Sequence, residues 1–430
     1  MKKVLIITYY WPPSGGPGVQ RALKFVKYLS ESGIAPFVLT VDENQASYPL
    51  TDDSLLKDIP AQVPVRKTRS FEALKILSAF TSKKNIPHGG FANRGSESVF
   101  QKALRFIRGN FFIPDARKGW VPYAVEAATE LIEKENIGTV VISSPPHSSQ
   151  LIGLKLKKKF PALNWVADMR DPWTDIYYYK DLMHTRSAAA RDAAYEASVL
   201  ETADHVISVS EPICKLLLKK SPRLSPSKFH VIPNGFDEPD FSEDEKPEPG
   251  KFVFTYVGTM SAAYKPQVLF GAIEKLAQKH RDVKMELRMV GTHAGAVKEL
   301  VDESHLSAIT TFIPQVDHGK AVGYMLRSDI LLLVIPDVEH SEGILTGKLF
   351  EYLGSRRPVA GLGPVPGDAA RILAECEAGK MFNRKQSAEL EQFLESLLER
   401  WRRGEDTSNP STAYHKYSRK ELTKQLASYL

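Results

Sequence analysis

The chain has 430 residues, 43% hydrophobic and 25% charged, with a net charge of +6. That composition excludes wholesale disorder, and the length exceeds what one hydrophobic core commonly serves, so two domains are expected. Its two cysteines, Cys214 and Cys376, lie far apart and outside any CxxC spacing. This excludes a disulfide framework and a cysteine zinc site and fits a reducing cytosol.

In chain order, "MKKVLIITYYWPP" opens on an apolar run too short for a signal peptide, with no small-residue cleavage site. It is expected to be a first buried strand, Val4–Tyr9. Further strands are expected at Pro36–Val41, Thr139–Ser143, Leu163–Ala167, His205–Val209 and Phe229–Ile232. Between the second and third lies a long basic amphipathic stretch, Phe71 to Trp120, with "HGGFANRGS" as its flexible piece. Phe71 to Lys118 holds nine Lys or Arg against three Asp or Glu, so the rest of the chain sums to zero. Such a surplus reads either as a surface for an anionic partner or as a solvated helical face. No nucleic-acid module is present.

"DEPDFSEDEKPEPG" is acidic and proline-rich, which reads as a linker. Alternation then restarts, with strands expected at Phe252–Val257, Met285–Val290, Thr311–Phe312, Ile330–Ile335 and Val359–Gly361. The run "ILLLVIP" is far too short to span a bilayer. The end, "YHKYSRKELTKQLASYL", reads as a helical tail. Strands alternating with helices predict α/β architecture, two successive doubly wound parallel-sheet domains with ligands at the strands' carboxyl ends.

The loop "YYWPPSGGPGVQR" could be a tight corner or a place where glycines let a ligand approach the backbone. Arg21 stands where a dinucleotide fingerprint needs its third glycine, and no Lys-Ser or Lys-Thr pair follows, which excludes a P-loop. In "EHSEGILTGKLFEYLGSRRPVAG", Thr346 and Gly347 open a helix whose free amides could face a diphosphate. Lys348 opposes the helix dipole there and needs a compensating partner. Glu351 could accept both hydroxyls of a ribose, or could simply be a surface residue. In "YVGTMSAAYKPQ", Lys265 could neutralise a leaving phosphate or be surface. His147 follows a strand in "ISSPPHSSQ". Asp168, Arg170 and Asp171 follow another in "WVADMRDPW", as part of a site or as a structural ion-pair network. No metal-ligand spacing and no nucleophile-elbow motif is found.

In this order and at these spacings, "YYWPPSGGPGVQRALKFVKYL", "VIPNGFD", "YVGTMSAAYK" and "TGKLFEYLGSRRPVAG" carry a resemblance. The chain resembles the retaining GT-B-fold glycosyltransferases of family four over nearly its full length. "SSPPHSSQLIGLKLKK" followed by "DMRDPW" resembles a bacterial subgroup. The resemblance implies two Rossmann-like domains facing across a cleft: an acceptor domain over 1–237, the linker 238–250, a nucleotide-sugar domain over 251–410, and a C-terminal helix over 411–430 that returns to the first domain. It implies donor contacts at Gly15, Gly16, Thr259, Gly343, Thr346, Gly347, Lys348 and Glu351. Lys265 matches the diphosphate-binding basic residue, Glu351 the ribose-binding second glutamate, and His147 the histidine near the transferred sugar. Trp120, Asp168, Arg170 and Asp171 would then lie along the acceptor.

Two departures stand out. Thr259 follows Gly258 where the family carries an arginine. The first glutamate of the pair should fall at Gly343, with Glu342 one residue away as its candidate substitute. The expected activity is retaining transfer from a UDP- or GDP-sugar to a glycan or lipid-linked acceptor, in cell-surface polysaccharide biosynthesis. No metal or other cofactor is implied. The expected location is cytoplasmic, with the basic Phe71–Lys118 region contacting anionic membrane. The alternatives are an epimerase on the same fold and a non-catalytic nucleotide-sugar binder.

Overall fold

The computed structural model describes residues 1–72, 99–241 and 245–430. "HGGFANRGS" lies outside the described residues. The chain divides into two compact units, 1–233 with 419–430, and 234–418.

The first unit holds strands β1 (Lys3–Thr8), β2 (Ala35–Val41), β3 (Val65–Thr68), β4 (Thr139–Ser144), β5 (Asn164–Met169), β6 (His205–Ser208) and β7 (Phe229–Val231). Its helices are α1 (Pro17–Glu31), α2 (Val99–Phe111), α3 (Val121–Glu135), α4 (Gln150–Lys159), α5 (Arg186–Thr202) and α6 (Glu211–Leu218). The strands pair in parallel in the order β3-β2-β1-β4-β5-β6-β7. Central strands such as TVVISS are buried at every position, because helices cover both faces of a parallel sheet.

Strand β3 was not among the expected elements. VRKT carries two exposed cations at its centre and pairs only with β2, so its sequence lacks the apolar run of a central strand.

The second unit repeats the plan with β8 (Phe252–Val257), β9 (Met285–Val290), β10 (Thr310–Ile313), β11 (Ile330–Val334), β12 (Val359–Leu362) and β13 (Gly379–Phe382). Its helices are α7 (Gln267–Lys279), α8 (Gly295–Glu303), α9 (His318–Leu326), α10 (Gly347–Ser355), α11 (Asp368–Glu375) and α12 (Ser387–Arg402). The strand order is β10-β9-β8-β11-β12-β13, again all parallel. Each sheet therefore has a topological switch point, β1/β4 in the first and β8/β11 in the second. Doubly wound sheets bind ligands beyond the carboxyl ends of such strand pairs.

The acidic stretch after the first unit is not free of packing. Phe241 meets the ring of Phe236 edge-on at 5.9 Å, and both crowd Gly354 so closely that a Cβ there would lie 2.7 Å from each. Glu245 pairs with Arg327 at 2.8 Å and Glu248 with Arg288 at 2.6 Å, which ties residues 245–248 to the second unit.

The chain closes with α13 (Arg419–Ala427), which belongs to the first unit. Leu422, Leu426 and Leu430 enter the same core as Val19, Leu23 and Val26 of α1, and Asn164 Nδ2 donates to Tyr429 O at 2.9 Å. The expected helical tail is shorter than its sequence pattern. Residues Ala413–Tyr417 form a separate 3-10 turn before it.

Candidate functional site

The opening glycines act differently from one another. Gly15 sits in a tight corner: its N–H donates to Leu50 O at 3.0 Å, and a Cβ would meet Leu50 Cγ at 3.0 Å and Asp52 Cβ at 3.1 Å. Gly16 caps α1 at φ +100, a conformation that favours glycine, and nothing lies within 4 Å of where its Cβ would be. A ligand can approach the backbone there. Gly18 makes room for a side chain, since a Cβ would fall 2.0 Å from Arg170 NH1.

Arg21, the residue that breaks the dinucleotide pattern, is fully buried. Its Nε donates to both oxygens of Asp168 at 3.1 Å, and NH2 reaches Oδ1 at 2.9 Å. NH1 and NH2 also donate to the carbonyls of Pro233 and Ile232, at 2.7 and 2.9 Å. Asp168 further accepts from Ser143 Oγ at 2.8 Å. Each of the three guanidinium nitrogens has a partner, as a buried guanidinium requires. The ion-pair reading of the "DMRDPW" cluster thus applies to Asp168. Trp120 is likewise fully buried, edge-on to Tyr9 at 5.6 Å, with Nε1 donating to Thr68 Oγ1 at 2.8 Å. It is a wall of the core rather than an exposed platform.

The others stay partly accessible. His147 stacks on Trp173 with ring centroids 4.9 Å apart, and Trp173 is fixed by Asp192 through a 2.9 Å hydrogen bond. Burial pushes the imidazole down to about 4, so it is neutral at physiological pH. Arg170 donates from Nε to Ser144 O at 3.1 Å and from NH2 to Pro145 O at 2.8 Å. Burial raises the Asp171 carboxyl above its usual range against the pull of Arg170. His147 follows β4 and Gly16 follows β1, so the first sheet's switch point joins them.

In the second unit, "TGKLFEYL" is built to fit the end of β8. Thr346 caps α10, with its hydroxyl buried and without a hydrogen-bond partner among the described residues. Lys348, in the first turn, lays its ammonium 4.0 Å from the ring centroid of Tyr256 and donates to that phenol oxygen at 2.6 Å. Gly258 (φ +109) leaves the space for it: a Cβ there would come within 3.1 Å of Nζ. The direct contacts of Lys348 are therefore an aromatic face and a hydroxyl, and the Glu351 carboxylate acts on it without a hydrogen bond. Burial pulls the amine down to about 7. Tyr352, one turn later on the same face, accepts from Val257 N–H at 3.0 Å.

Glu351 is not a free surface residue. His318 Nε2 lies 3.0 Å from its Oε1. Lys265 stands on the loop after β8 at φ +45 and pairs with Asp337 at 2.7 Å, both side chains about half exposed. Thr259, on the same loop, is exposed. Gly343 is buried in a short 3-10 turn, whereas the Glu342 carboxylate is half exposed, 3.8 Å from His340 Nδ1. The second switch point thus brings together Gly258, Lys265, Thr346, Gly347 and Lys348.

Sequence reasoning missed three neighbours. Asp337 holds Lys265, and Arg384 braces the same corner by donating to Tyr264 O at 2.9 Å and Ile335 O at 3.1 Å. His293, after β9 and beside Tyr256, is pushed down to about 4 by burial and is neutral at physiological pH. Each follows the carboxyl end of a strand, and that position was the available signal.

Residues 84–238 match the sequence model of Glycosyltransferase Family 4. No curated protein matches the chain. Among solved structures, the sucrose-phosphate synthase of Thermosynechococcus elongatus is similar with a TM-score of 0.61 and 14% identity, over 100% of this chain and 98% of that one. HepE of Anabaena, solved in complex with UDP-glucose, gives 0.62 and 13% over 100% and 99%. A protein of Listeria monocytogenes described as a UDP-N-acetylglucosamine 2-epimerase gives 0.53 and 13% over 100% and 95%. At such identities the likeness shows a fold common to transferases and an epimerase, and the family match carries the enzyme class. The chain is a transferase enzyme on the two-domain GT-B fold, similar to Glycosyltransferase Family 4 over residues 84–238.

Proposed function

We propose that the protein transfers a sugar, with retained anomeric configuration, from a nucleotide-diphosphate sugar to a glycan or lipid-linked acceptor in cell-surface polysaccharide assembly. One observation carries the donor half: two lysines and a helix start converge at the second sheet's switch point, with a carboxylate one turn further along α10. Lys265, Lys348 and the amides at Thr346–Gly347 hold the developing charge of the leaving diphosphate; such preorganised electrostatics are commonly the largest catalytic contribution. Glu351 accepts the ribose hydroxyls. Glu342 and Thr259 flank the sugar. The uridine nucleotide bound by HepE favours a UDP-sugar over a GDP-sugar.

The first domain takes the acceptor at its own switch point, with Gly16 leaving the backbone open to it and His147, Arg170 and Asp171 toward the sugar. His147, being neutral, serves as a hydrogen-bond partner for sugar hydroxyls rather than as a charged acid. Departing phosphate oxygen assists removal of the acceptor proton on the face it leaves, so lysine cations and a nucleotide suffice. Helix α2 carries Lys102, Arg105 and Arg108 with no acidic residue, and Phe106, Ile107 and Phe111 are exposed. That combination supports peripheral contact with an anionic membrane on the cytoplasmic side.

Incubation with UDP-, GDP- and ADP-sugars tests this reading. Slow release of the nucleoside diphosphate is expected. An epimerised donor would support the isomerase instead, and binding without turnover a non-catalytic module.

The pH dependence of nucleotide binding is a second expectation. Lys348 is charged below about pH 7 and neutral above it in the free protein. A diphosphate beside it favours the charged form, so binding above pH 7 takes up a proton. UDP affinity should therefore be greatest below pH 7 and fall by up to about tenfold per pH unit above it. Calorimetric titration from pH 6 to 9 measures the slope, and Lys348→Met should flatten it.

A further inference from the structure

A histidine that meets a ligand through one ring nitrogen is ordinarily oriented by a hydrogen bond to the other. His147 has no such bond: neither ring nitrogen has a hydrogen-bond partner among the described residues, and Nδ1 is buried. What fixes the plane of the imidazole is the ring of Trp173, stacked on it at 4.9 Å with 12° between the two planes. Trp173 is itself fully buried, so its Nε1 needs an acceptor.

That acceptor is Asp192, on the buried face of α5. Its Oδ1 takes the indole N–H at 2.9 Å, and its Oδ2 takes the Tyr179 hydroxyl, also at 2.9 Å. One turn later, Glu196 accepts from the N–H and the hydroxyl of Thr174. Two acids of one helix thus grip adjacent residues of the segment that follows β5. Glu196 has Lys220 as a counter-ion at 3.4 Å, but no cation pairs with Asp192 among the described residues. Burying a carboxylate without a cation is costly, and burial pushes the pKa of Asp192 up to about 6. A neutral carbonyl would satisfy the indole. The carboxylate binds both donors more strongly, and because it only accepts, it fixes the direction of both bonds.

We propose that Asp192 is a positioning residue for His147: through Trp173 it sets the plane in which the imidazole meets its ligand at the carboxyl end of β4. The stack holds the ring without occupying either nitrogen. It leaves the tautomer to the ligand, so that one imidazole can serve a sugar hydroxyl as donor or as acceptor. The inference rests on the reading that His147 faces the transferred sugar, and it extends that site to two buried residues behind it.

The test combines kinetics with a readout that needs no turnover. The kinetic readout is nucleoside diphosphate release from whichever of UDP-, GDP- and ADP-glucose the intact chain consumes. The other is the NMR signal of the His147 ring protons, identified by its absence in His147→Gln and displaced upfield by the stacked indole. Asp192→Ala should lower kcat by about tenfold with the donor KM within about twofold, as expected when a group is misplaced rather than lost. It should also return the His147 signal toward its unstacked position. Asp192→Asn keeps an acceptor for the indole and should retain most of the rate and the displacement. Trp173→Phe removes the N–H and should cost a similar factor, to which Asp192→Ala adds nothing. A purely structural carboxylate would lower the melting temperature, leave the His147 signal in place and give additive losses. An unmoved His147 signal in Asp192→Ala, or additivity with Trp173→Phe, therefore overturns the proposal. Asp192→Leu fills the same space without an acceptor and carries the same readouts where Asp192→Ala does not fold. If the wild-type chain releases nucleotide from none of the three donors, the transfer reading fails on its own account, and the His147 signal alone decides whether Asp192 holds the imidazole.

Discussion

Exchange of Lys265 for Ala should lower kcat by about 10²–10³-fold, the usual consequence of removing one preorganised group that stabilises a developing oxyanion. Lys265 is half exposed and its partner is a single surface carboxylate, Asp337, at 2.7 Å. Surface pairs are worth at most about 1 kcal/mol, so a diphosphate can readily replace Asp337 as the lysine's partner. Lysine already holds this left-handed φ of +45, so alanine, with the same Cβ, adds no backbone strain and the domain should stay folded. The comparison variant is Asp337→Asn. It removes the resting partner but keeps the cation, so turnover should change far less. Steady-state release of nucleoside diphosphate gives both values, and an unchanged kcat in Lys265→Ala would remove its catalytic role.

The largest stability effect should come from Asp168→Asn. Arg21 and Asp168 are fully buried, and Arg21 ties α1 to β5 and to the carbonyls that end the first unit. Removing one partner of such a pair leaves an uncompensated buried charge and costs about 3–5 kcal/mol. Urea unfolding followed by circular dichroism should show the loss in the transition of the first domain. Arg21→Met added to Asp168→Asn should destabilise by much less than the sum of the two single exchanges, because the orphaned charge is then gone. Additivity would mean that the pair is not the source of the effect.

Much of the fold is legible in the sequence because parallel strands buried on both faces must be apolar throughout. LLIV-rich runs such as "ILLLVI" and "VFTYV" have few other uses in a chain of ordinary composition. Edge strands escape that rule. VRKT of β3 and GKMF of β13 each pair on one side only, so polar residues are tolerated and the periodicity is lost. Site residues divide in the same way. Gly258, Thr346 and Lys348 are recognisable because backbone and helix-end chemistry is local. The partners that define their chemistry are distant in sequence: Asp337 for Lys265, His318 for Glu351, Tyr256 for Lys348. Asp168 shows the converse, since the same Asp-Arg-Asp string holds one residue sealed in an ion pair and another still open. Only packing separates them.

Hydrogen–deuterium exchange of the intact chain, with and without UDP or GDP, tests the central claim most directly. The account predicts that a bound nucleoside diphosphate slows exchange at the amides of 258–265 and 343–352, the loop after β8 and the start of α10. Binding accompanied by protection elsewhere, with these two segments unchanged, would contradict it.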